Sequence, residues 1–110
     1  MKKDRRVRKS QEFQEILSKA QYVSRPSFVI YYEEKKQQQN RIGISVGKKL
    51  GNAVHRNLIK RQVRMMMQET EALALDCDMI VIVRRGYLKN DYAMNKKCLE
   101  TMLETVKIRA

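Results

Sequence analysis

The feature that most constrains the fold is a change of hydrophobic period in the middle of the chain. RIGISVGK (41–48) alternates between apolar residues and small or polar ones, as in an extended strand with one apolar face. From Asn52 to about Leu75 the apolar residues recur at helical spacing, and MIVIV (79–83) is apolar on both faces. A strand, a helix and a strand in this order predict two parallel strands joined by a crossover helix.

Two further helices are predicted outside this unit. Ser10 can cap a first helix, because its hydroxyl can accept a hydrogen bond from a free backbone N–H of the opening turn. The apolar face of that helix comprises Phe13, Ile16, Leu17 and Ala20. Asn90 and Asp91 can cap a last helix. Its apolar stripe comprises Cys98, Leu99, Met102, Leu103 and Val106.

SFVIYYE (27–33) has the β-branched and aromatic residues of a strand. By alternation, one face carries Phe28, Ile30 and Tyr32, and the other carries Val29 and Tyr31. The polar segment EEKKQQQN (33–40) fits a hairpin-like loop, and a further short strand is expected near residues 21–25. The order α-β-β(-β)-α-β-α predicts a single domain over residues 1–110, of the α+β or the α/β class, with helices on a mixed central sheet.

Positive charge is concentrated in two segments of the chain, whose net charge is +12. Residues 1–9 contain six Lys or Arg residues and one Asp, and we expect them to form a mobile basic arm. Between Glu34 and Glu69 there are nine Lys or Arg residues and no acid. Charge this segregated indicates a polyanionic partner, with nucleic acid favoured over an anionic membrane.

Neither a membrane segment, an export signal nor a catalytic site is expected. No apolar run approaches the ~20 residues that span a bilayer, and the charged N-terminus lacks the apolar stretch of a signal peptide. Cys77 and Cys98 lie apart from any histidine cluster, so we expect two reduced cysteines and no metal site. His55, the only histidine, has no nucleophile or carboxylate pair at a recognisable spacing. These features favour a cytoplasmic protein without a membrane partner.

GNAVHRNLIKRQVR (51–64) opens the central predicted helix and contains no acid. At helical spacing, Ile59, Val63, Met66 and Met67 form a core stripe, Arg56, Lys60 and Arg64 an adjoining line, and Asn57 and Arg61 lie further round. Cations near a helix N-terminus cost ~0.3–1 kcal/mol each at low salt, and a bound anion would reverse that cost. An anion-binding face is therefore favoured over an ordinary solvated one. For Asn57, an RNA contact and a local hydrogen bond both stay open.

Aromatic side chains beside a basic groove can stack on unpaired bases, at ~1–3 kcal/mol per base. Tyr31 shares its face with Val29 and is a candidate for such a groove, whereas alternation places Phe28 and Tyr32 in the core. Phe13 fits either the border of the groove or the core.

Taken together, these motifs resemble the protein subunit of bacterial ribonuclease P. GNAVHRNLIKRQVR, preceded by a strand that ends in GISVGKK, carries the most specific part of the resemblance. QEFQEIL, SFVIYY, CDMIVIVRRG and the final amphipathic helix follow the order of the family, so the resemblance covers essentially the whole chain.

The resemblance implies a small basic protein that joins a large catalytic RNA to remove the 5′ leader of precursor tRNA. The RNA would hold the active site and chiefly bind the Mg²⁺ ions, and no metal site or catalytic residue is implied in the protein. By motif, the RNA-binding region would comprise Lys48, Lys49, Asn52, Arg56, Asn57, Lys60, Arg61 and Arg64. The leader cleft would be lined by Phe13 and Tyr31.

Two residues depart from the family pattern. Leu58 stands where the family often has an arginine, and Leu17 where it often has an aromatic residue, so neither position is given a role. The family also implies a left-handed crossover around the basic helix, as in one ribosomal-protein-like fold, although ~98% of such crossovers are right-handed.

Two other classes of protein are alternatives to this interpretation. A helix-turn-helix protein that binds DNA would need a second helix joined to the basic one by a short turn, whereas the neighbouring segments are predicted strands. A structural RNA-binding protein of the ribosomal type would share both fold and charge, and it stays the alternative.

Overall fold

A computed structural model describes residues 10–36 and 38–109, which form three α-helices and four strands. The helices are α1 (Ser10–Lys19), α2 (Ala53–Glu69) and α3 (Tyr92–Arg109). The strands are β1 (Gln21–Ser24), β2 (Phe28–Glu34), β3 (Ile42–Val46) and β4 (Cys77–Val83). Short 3₁₀ turns cover Lys48–Leu50, Glu71–Ala74 and Arg85–Lys89. The basic arm predicted for residues 1–9 lies outside the described residues, as does the side chain of Ser10.

The four strands form one mixed sheet in the order β1-β2-β4-β3. β1 pairs antiparallel with β2, and β2 pairs antiparallel with β4. β3 and β4 are parallel and are joined through α2. The α+β class, the mixed sheet, the short first strand and the parallel pair are thus confirmed. The hand of the crossover stays a prediction.

The hairpin-like loop predicted for residues 33–40 is wrong. β2 already extends to Glu34, and β2 and β3 are not neighbours because β4 lies between them. The central position suits β4, since it buries apolar side chains on both faces of the sheet. The hairpin of this sheet instead joins β1 to β2, through residues 25–27.

α2 ends at Glu69 and does not reach Leu75 as predicted. Thr70 leaves the helical conformation, with φ −110° and ψ −176°. Its hydroxyl donates to the carbonyl oxygen of Met67 at 3.0 Å and accepts from the backbone N–H of Ala72 at 3.4 Å. Thr70 therefore closes α2 and caps a separate 3₁₀ turn.

The main core lies between one face of the sheet and the helices α2 and α3. β2 contributes Phe28, Ile30 and Tyr32, all buried as the alternation predicted. Full burial of side chains of this size stabilises the fold by about 1.5–3 kcal/mol each. α3 packs its predicted stripe into the same core, with Cys98 only partly buried at its margin. Asp91 caps α3 as predicted, since its Oδ1 accepts from the backbone N–H of Met94 at 2.9 Å.

The opposite face of the sheet carries α1. Ile16 of α1 and Ile80 of β4 are both fully buried and form the centre of this second cluster. Phe13, Leu17, Tyr31 and other partly buried residues pack around them. α1 contacts β2 and β4, which are the two inner strands, and so leaves part of this face uncovered.

The two cysteines are free, Cys77 within the core and Cys98 at its margin. Burial raises the pKa of Cys77 to about 11, with the carboxylates of Asp78 and Asp76 adding to the shift. Burial also raises the pKa of Cys98. Neither thiol is therefore activated as a nucleophile near neutral pH.

An alkylation experiment checks this environment. At pH 8 we expect iodoacetamide to modify Cys98 first, while Cys77 reacts only as the protein unfolds, because at a pKa of about 11 roughly a thousandth of the thiol is ionised. Peptide mass spectrometry over time measures both rates. Equal rates in the folded protein would contradict the buried placement of Cys77, and Cys98→Ser supplies the control in which only the protected thiol remains.

In the described part of the chain, no helix combines the length and the apolar character that a transmembrane span requires.

Candidate nucleic-acid interface

α2 presents a cationic surface beside its buried stripe. Ile59, Val63, Met66 and Met67 are buried, as the helical spacing predicted. Five polar residues, called here the basic face, lie on the rest of the helix: Arg56, Asn57, Lys60, Arg61 and Arg64. Arg56, Lys60 and Arg64 are half-buried next to the core, and Asn57 and Arg61 are exposed. The predicted core stripe with an adjoining cationic line is therefore confirmed.

Most cations of the basic face form no salt bridge with a carboxylate in the described part of the chain. Within residues 10–36 and 38–109, no carboxylate forms a salt bridge with Arg56, Lys60 or Arg61. The Nε of Arg56 is buried and has no hydrogen-bond acceptor there. Arg64 differs, because it does interact with another group of the chain. Three cations on one helix without carboxylate partners leave a surface suited to an external polyanion.

The segment between β3 and α2 consists of a tight 3₁₀ turn followed by a side-chain cap. Lys48 and Lys49 are exposed on the 3₁₀ turn, while Leu50 is buried and anchors that turn to the core. Asn52 caps α2, since its Oδ1 accepts from the backbone N–H of His55 at 2.9 Å. Asn52 therefore has a structural role in addition to the RNA contact that the resemblance implies. His55 is exposed at the start of the helix.

Gly51 has the one positive φ in the described part of the chain, +139°, and this conformation sets the direction in which α2 leaves the turn. A Cβ at this position would lie 2.7 Å from Cδ2 of His55. Gly51→Ala is therefore expected to destabilise the protein by about 1–2 kcal/mol in urea unfolding, because the φ angle and the contact are both unfavourable. Gly47→Ala is the matched control, since its Cβ would meet nothing within 4 Å. Equal stability of the two variants would contradict this account of the turn.

Further cations lie at the edge of the sheet from which α2 departs. β3 and β4 are parallel, so Lys48 and Lys49 follow β3 at the same edge where Arg84 and Arg85 follow β4. β1 is antiparallel to β2, which is itself antiparallel to β4, so β1 runs in the direction of β4 and also ends at this edge, at Ser24. These two arginines are not among the site residues predicted from the sequence. The predicted parallel pairing of the two strands was the signal that could have found them, because the ends of parallel strands meet at one edge of a sheet.

Arg84 reaches across the sheet toward β1. Its Nη1 donates to Oγ of Ser24 at 2.9 Å and to the carbonyl oxygen of Arg25 at 3.0 Å. Its backbone N–H is held by the carbonyl oxygen of Ser27 at 2.9 Å. These bonds fix a guanidinium on the face of the sheet that carries α1, because the side chain of Ser24 points to that face.

An open surface lies beside α1 on this same face. By register, one row across the four strands consists of Ser24, Val29, Ile82 and Ser45, all partly exposed and here called the open row. Phe13 and Tyr31 both pack against the Ile16–Ile80 pair and are half-buried. The structure thus brings Phe13 and Tyr31 to one face, next to the open row and to the Arg84 guanidinium that is hydrogen-bonded to Ser24.

Comparison with known proteins identifies the family. A family model described as Ribonuclease P matches residues 1–107. The chain is 45% identical over 104 residues to a protein of Streptococcus agalactiae named ribonuclease P protein component, a match that covers 94% of this chain and 95% of the relative. A Mesoplasma florum protein of the same name is 43% identical over 105 residues, covering 94% and 96% of the two chains.

Solved structures agree with this result. The ribonuclease P protein of Staphylococcus aureus superposes with a TM-score of 0.84 at 36% identity, covering 94% of this chain and 95% of the other. The Thermotoga maritima protein has a TM-score of 0.76 at 23% identity, covering 96% of each chain, and supports the fold alone. On the family match and the relatives, the chain belongs to the ribonuclease P protein family.

Proposed function

We propose that this protein binds ribonuclease P RNA through the basic face of α2 and holds the 5′ leader of precursor tRNA on the open row. The RNA then removes the leader to give the mature 5′ end of the tRNA. The observation that carries the proposal is a set of cations on α2 without carboxylate partners in the described part of the chain. The sheet edge from which α2 departs also borders the face of the sheet that carries α1, where Phe13 and Tyr31 are half-buried beside the open row.

The mechanism follows from charge. A leader and a catalytic RNA are both polyanions, so bringing them together is repulsive. Lys and Arg residues placed between them release condensed counterions and screen that repulsion, a gain that falls as salt rises. Leader contacts are absent from mature tRNA, so binding on the open row would favour the precursor over the product.

The Mg²⁺ ions belong to the RNA in this proposal. Within the described residues, no group of three or more His, Cys, Asp or Glu side chains could hold a metal ion. In this proposal the residues of the protein act through charge and stacking, and the enzyme works with its RNA in the cytoplasm.

The alternative functions fit less well. A helix-turn-helix protein is disfavoured because the elements before and after α2 are the strands β3 and β4, each reached through a 3₁₀ turn. The ribosomal-type RNA-binding protein shares fold and charge but is not favoured by the relatives and structures that match this chain.

Reconstitution tests the proposed function. Adding this protein to a bacterial ribonuclease P RNA at low Mg²⁺ should raise kcat/KM for precursor tRNA cleavage above that of the RNA alone. A rate unchanged by the protein would favour the ribosomal-type alternative.

Tyr31→Ala tests the leader cleft. We expect the holoenzyme to bind precursor tRNA about fivefold or more weakly, because a stacked base contributes ~1–3 kcal/mol, while the affinity for mature tRNA stays constant. Tyr31→Phe keeps the ring and should behave as wild type. The Kd values for precursor and mature tRNA measure the effect. Equal losses for both RNAs would contradict the leader contact.

A further inference from the structure

A second tyrosine lies beside Tyr31 at the edge of the sheet. Tyr22 of β1 is directly opposite Tyr31 of β2 in the antiparallel register. Their ring centroids are 5.6 Å apart, with the ring planes inclined by 41°. Tyr22 is 58% exposed, whereas Tyr31 is half-buried. Within the described residues, neither phenol hydroxyl has a hydrogen-bond partner. The pair therefore extends the aromatic surface from the inner strand to the outer edge.

The surroundings of Tyr22 are cationic. Ser24 lies two positions further along β1, on the same face, and its hydroxyl accepts from the Arg84 guanidinium at 2.9 Å. On the other side, the Arg109 guanidinium approaches the carbonyl oxygen of Tyr22 at 3.5 Å. An exposed ring on a strand that also binds two guanidinium groups has the two components of a single-stranded RNA site, a stacking surface and a charge for the phosphate.

The position of Tyr22 also fits the path of a single-stranded RNA across the sheet. The open row crosses the sheet from β3, which leads into α2, to β1. Three inter-strand spacings amount to about 14 Å, enough for more than one nucleotide. Tyr22 lies at the β1 end, beyond Tyr31 as seen from β3, so a leader that crosses the row meets Tyr31 first and Tyr22 afterwards.

We propose that Tyr22 stacks on one further unpaired base of the leader, beyond the base held near Tyr31, with Arg84 beside the intervening phosphate. This inference rests on the proposed function, since it requires a leader on the open row. It predicts a contribution that depends on leader length, because a short leader ends before β1. A purely structural Tyr22 would stabilise the hairpin equally with every RNA.

The experiment uses the holoenzyme with precursor tRNAs whose leaders increase in length one nucleotide at a time. Tyr22→Ser is expected to weaken binding by about fivefold for long leaders, and to change nothing for the shortest leaders or mature tRNA. Tyr22→Phe should retain wild-type affinity at every length. Met94→Ala is the matched control, since Met94 is 59% exposed on α3 and lies outside the proposed site.

An abasic nucleotide moved along a long leader then locates the contact. One abasic position should weaken wild-type binding about fivefold and leave Tyr22→Ser unaffected. That position should lie further from the cleavage site than the position sensitive to Tyr31→Ala. A loss in Tyr22→Ser that is the same at every leader length, or no loss at any length, would overturn the inference. The proposed function would fail separately, through an unchanged affinity in Tyr31→Ala.

Discussion

Arg41→Ala is expected to lower the free energy of unfolding by about 3–5 kcal/mol. Asp78 of β4 is fully buried, and Arg41 supplies its partners: the backbone N–H at 2.7 Å, Nε at 3.1 Å and Nη2 at 2.9 Å. Alanine keeps only the backbone bond and leaves a buried carboxylate without its counter-charge. Urea unfolding followed by circular dichroism measures the loss.

The same substitution should also weaken leader binding. Nη1 of Arg41 donates to Oε2 of Glu12 at 3.0 Å, which ties α1 to the sheet one residue before Phe13. Glu12→Ala is the control, because it removes the more exposed end of the bridge and is expected to cost only about 0–1 kcal/mol. Similar losses of stability in the two variants would contradict the central role given to the Arg41–Asp78 pair.

The joint substitution of Arg56, Lys60 and Arg61 by alanine is expected to weaken binding to ribonuclease P RNA by about two orders of magnitude at intermediate salt. Each cation that contacts phosphate releases about one condensed counterion, so the loss of three cations removes three such contributions to the affinity. The fold should stay intact, because none of the three cations forms a salt bridge within the described residues and alanine is the best helix former. Filter binding gives the Kd, and circular dichroism confirms the helix content.

A charge-matched variant separates local contact from overall charge. Lys19, Lys97 and Lys107 are exposed on α1 and α3, and their joint replacement by alanine changes the net charge by the same amount. We expect only a small loss of RNA affinity from this variant. If both triple variants weaken binding equally, the basic face has no special role.

The elements that sequence analysis predicted correctly are those that neighbouring residues determine. Local periodicity identifies the side chains that are buried in the core. It does so through the alternation in β2 and β3 and through the 3.6-residue spacing in α2. The cationic line on α2 follows from the same spacing. The end of α2 was misplaced, because the capping bonds of Thr70 compete with an apolar pattern that continues to Leu75.

The features that could not be predicted depend on residues far apart in the chain. The place of β4 between β2 and β3 is a choice of strand order, which alternation within each strand leaves open. The Arg84–Ser24 bond joins residues 60 positions apart, and the Arg41–Asp78 pair joins residues 37 apart. β1 has four residues, too few for a periodic signal, so the placement of Tyr22 beside Tyr31 also emerged only from the structure.

The dependence of RNA affinity on salt tests the basic face most directly. The slope of log K against log salt counts the cations that touch phosphate, whatever other changes a variant carries. The magnitude of this slope is expected to fall by about 2 to 3 in the Arg56, Lys60 and Arg61 variant, and to stay nearly at the wild-type value in the Lys19, Lys97 and Lys107 variant. A slope that is the same for wild type and the α2 variant would show that RNA does not lie against this helix.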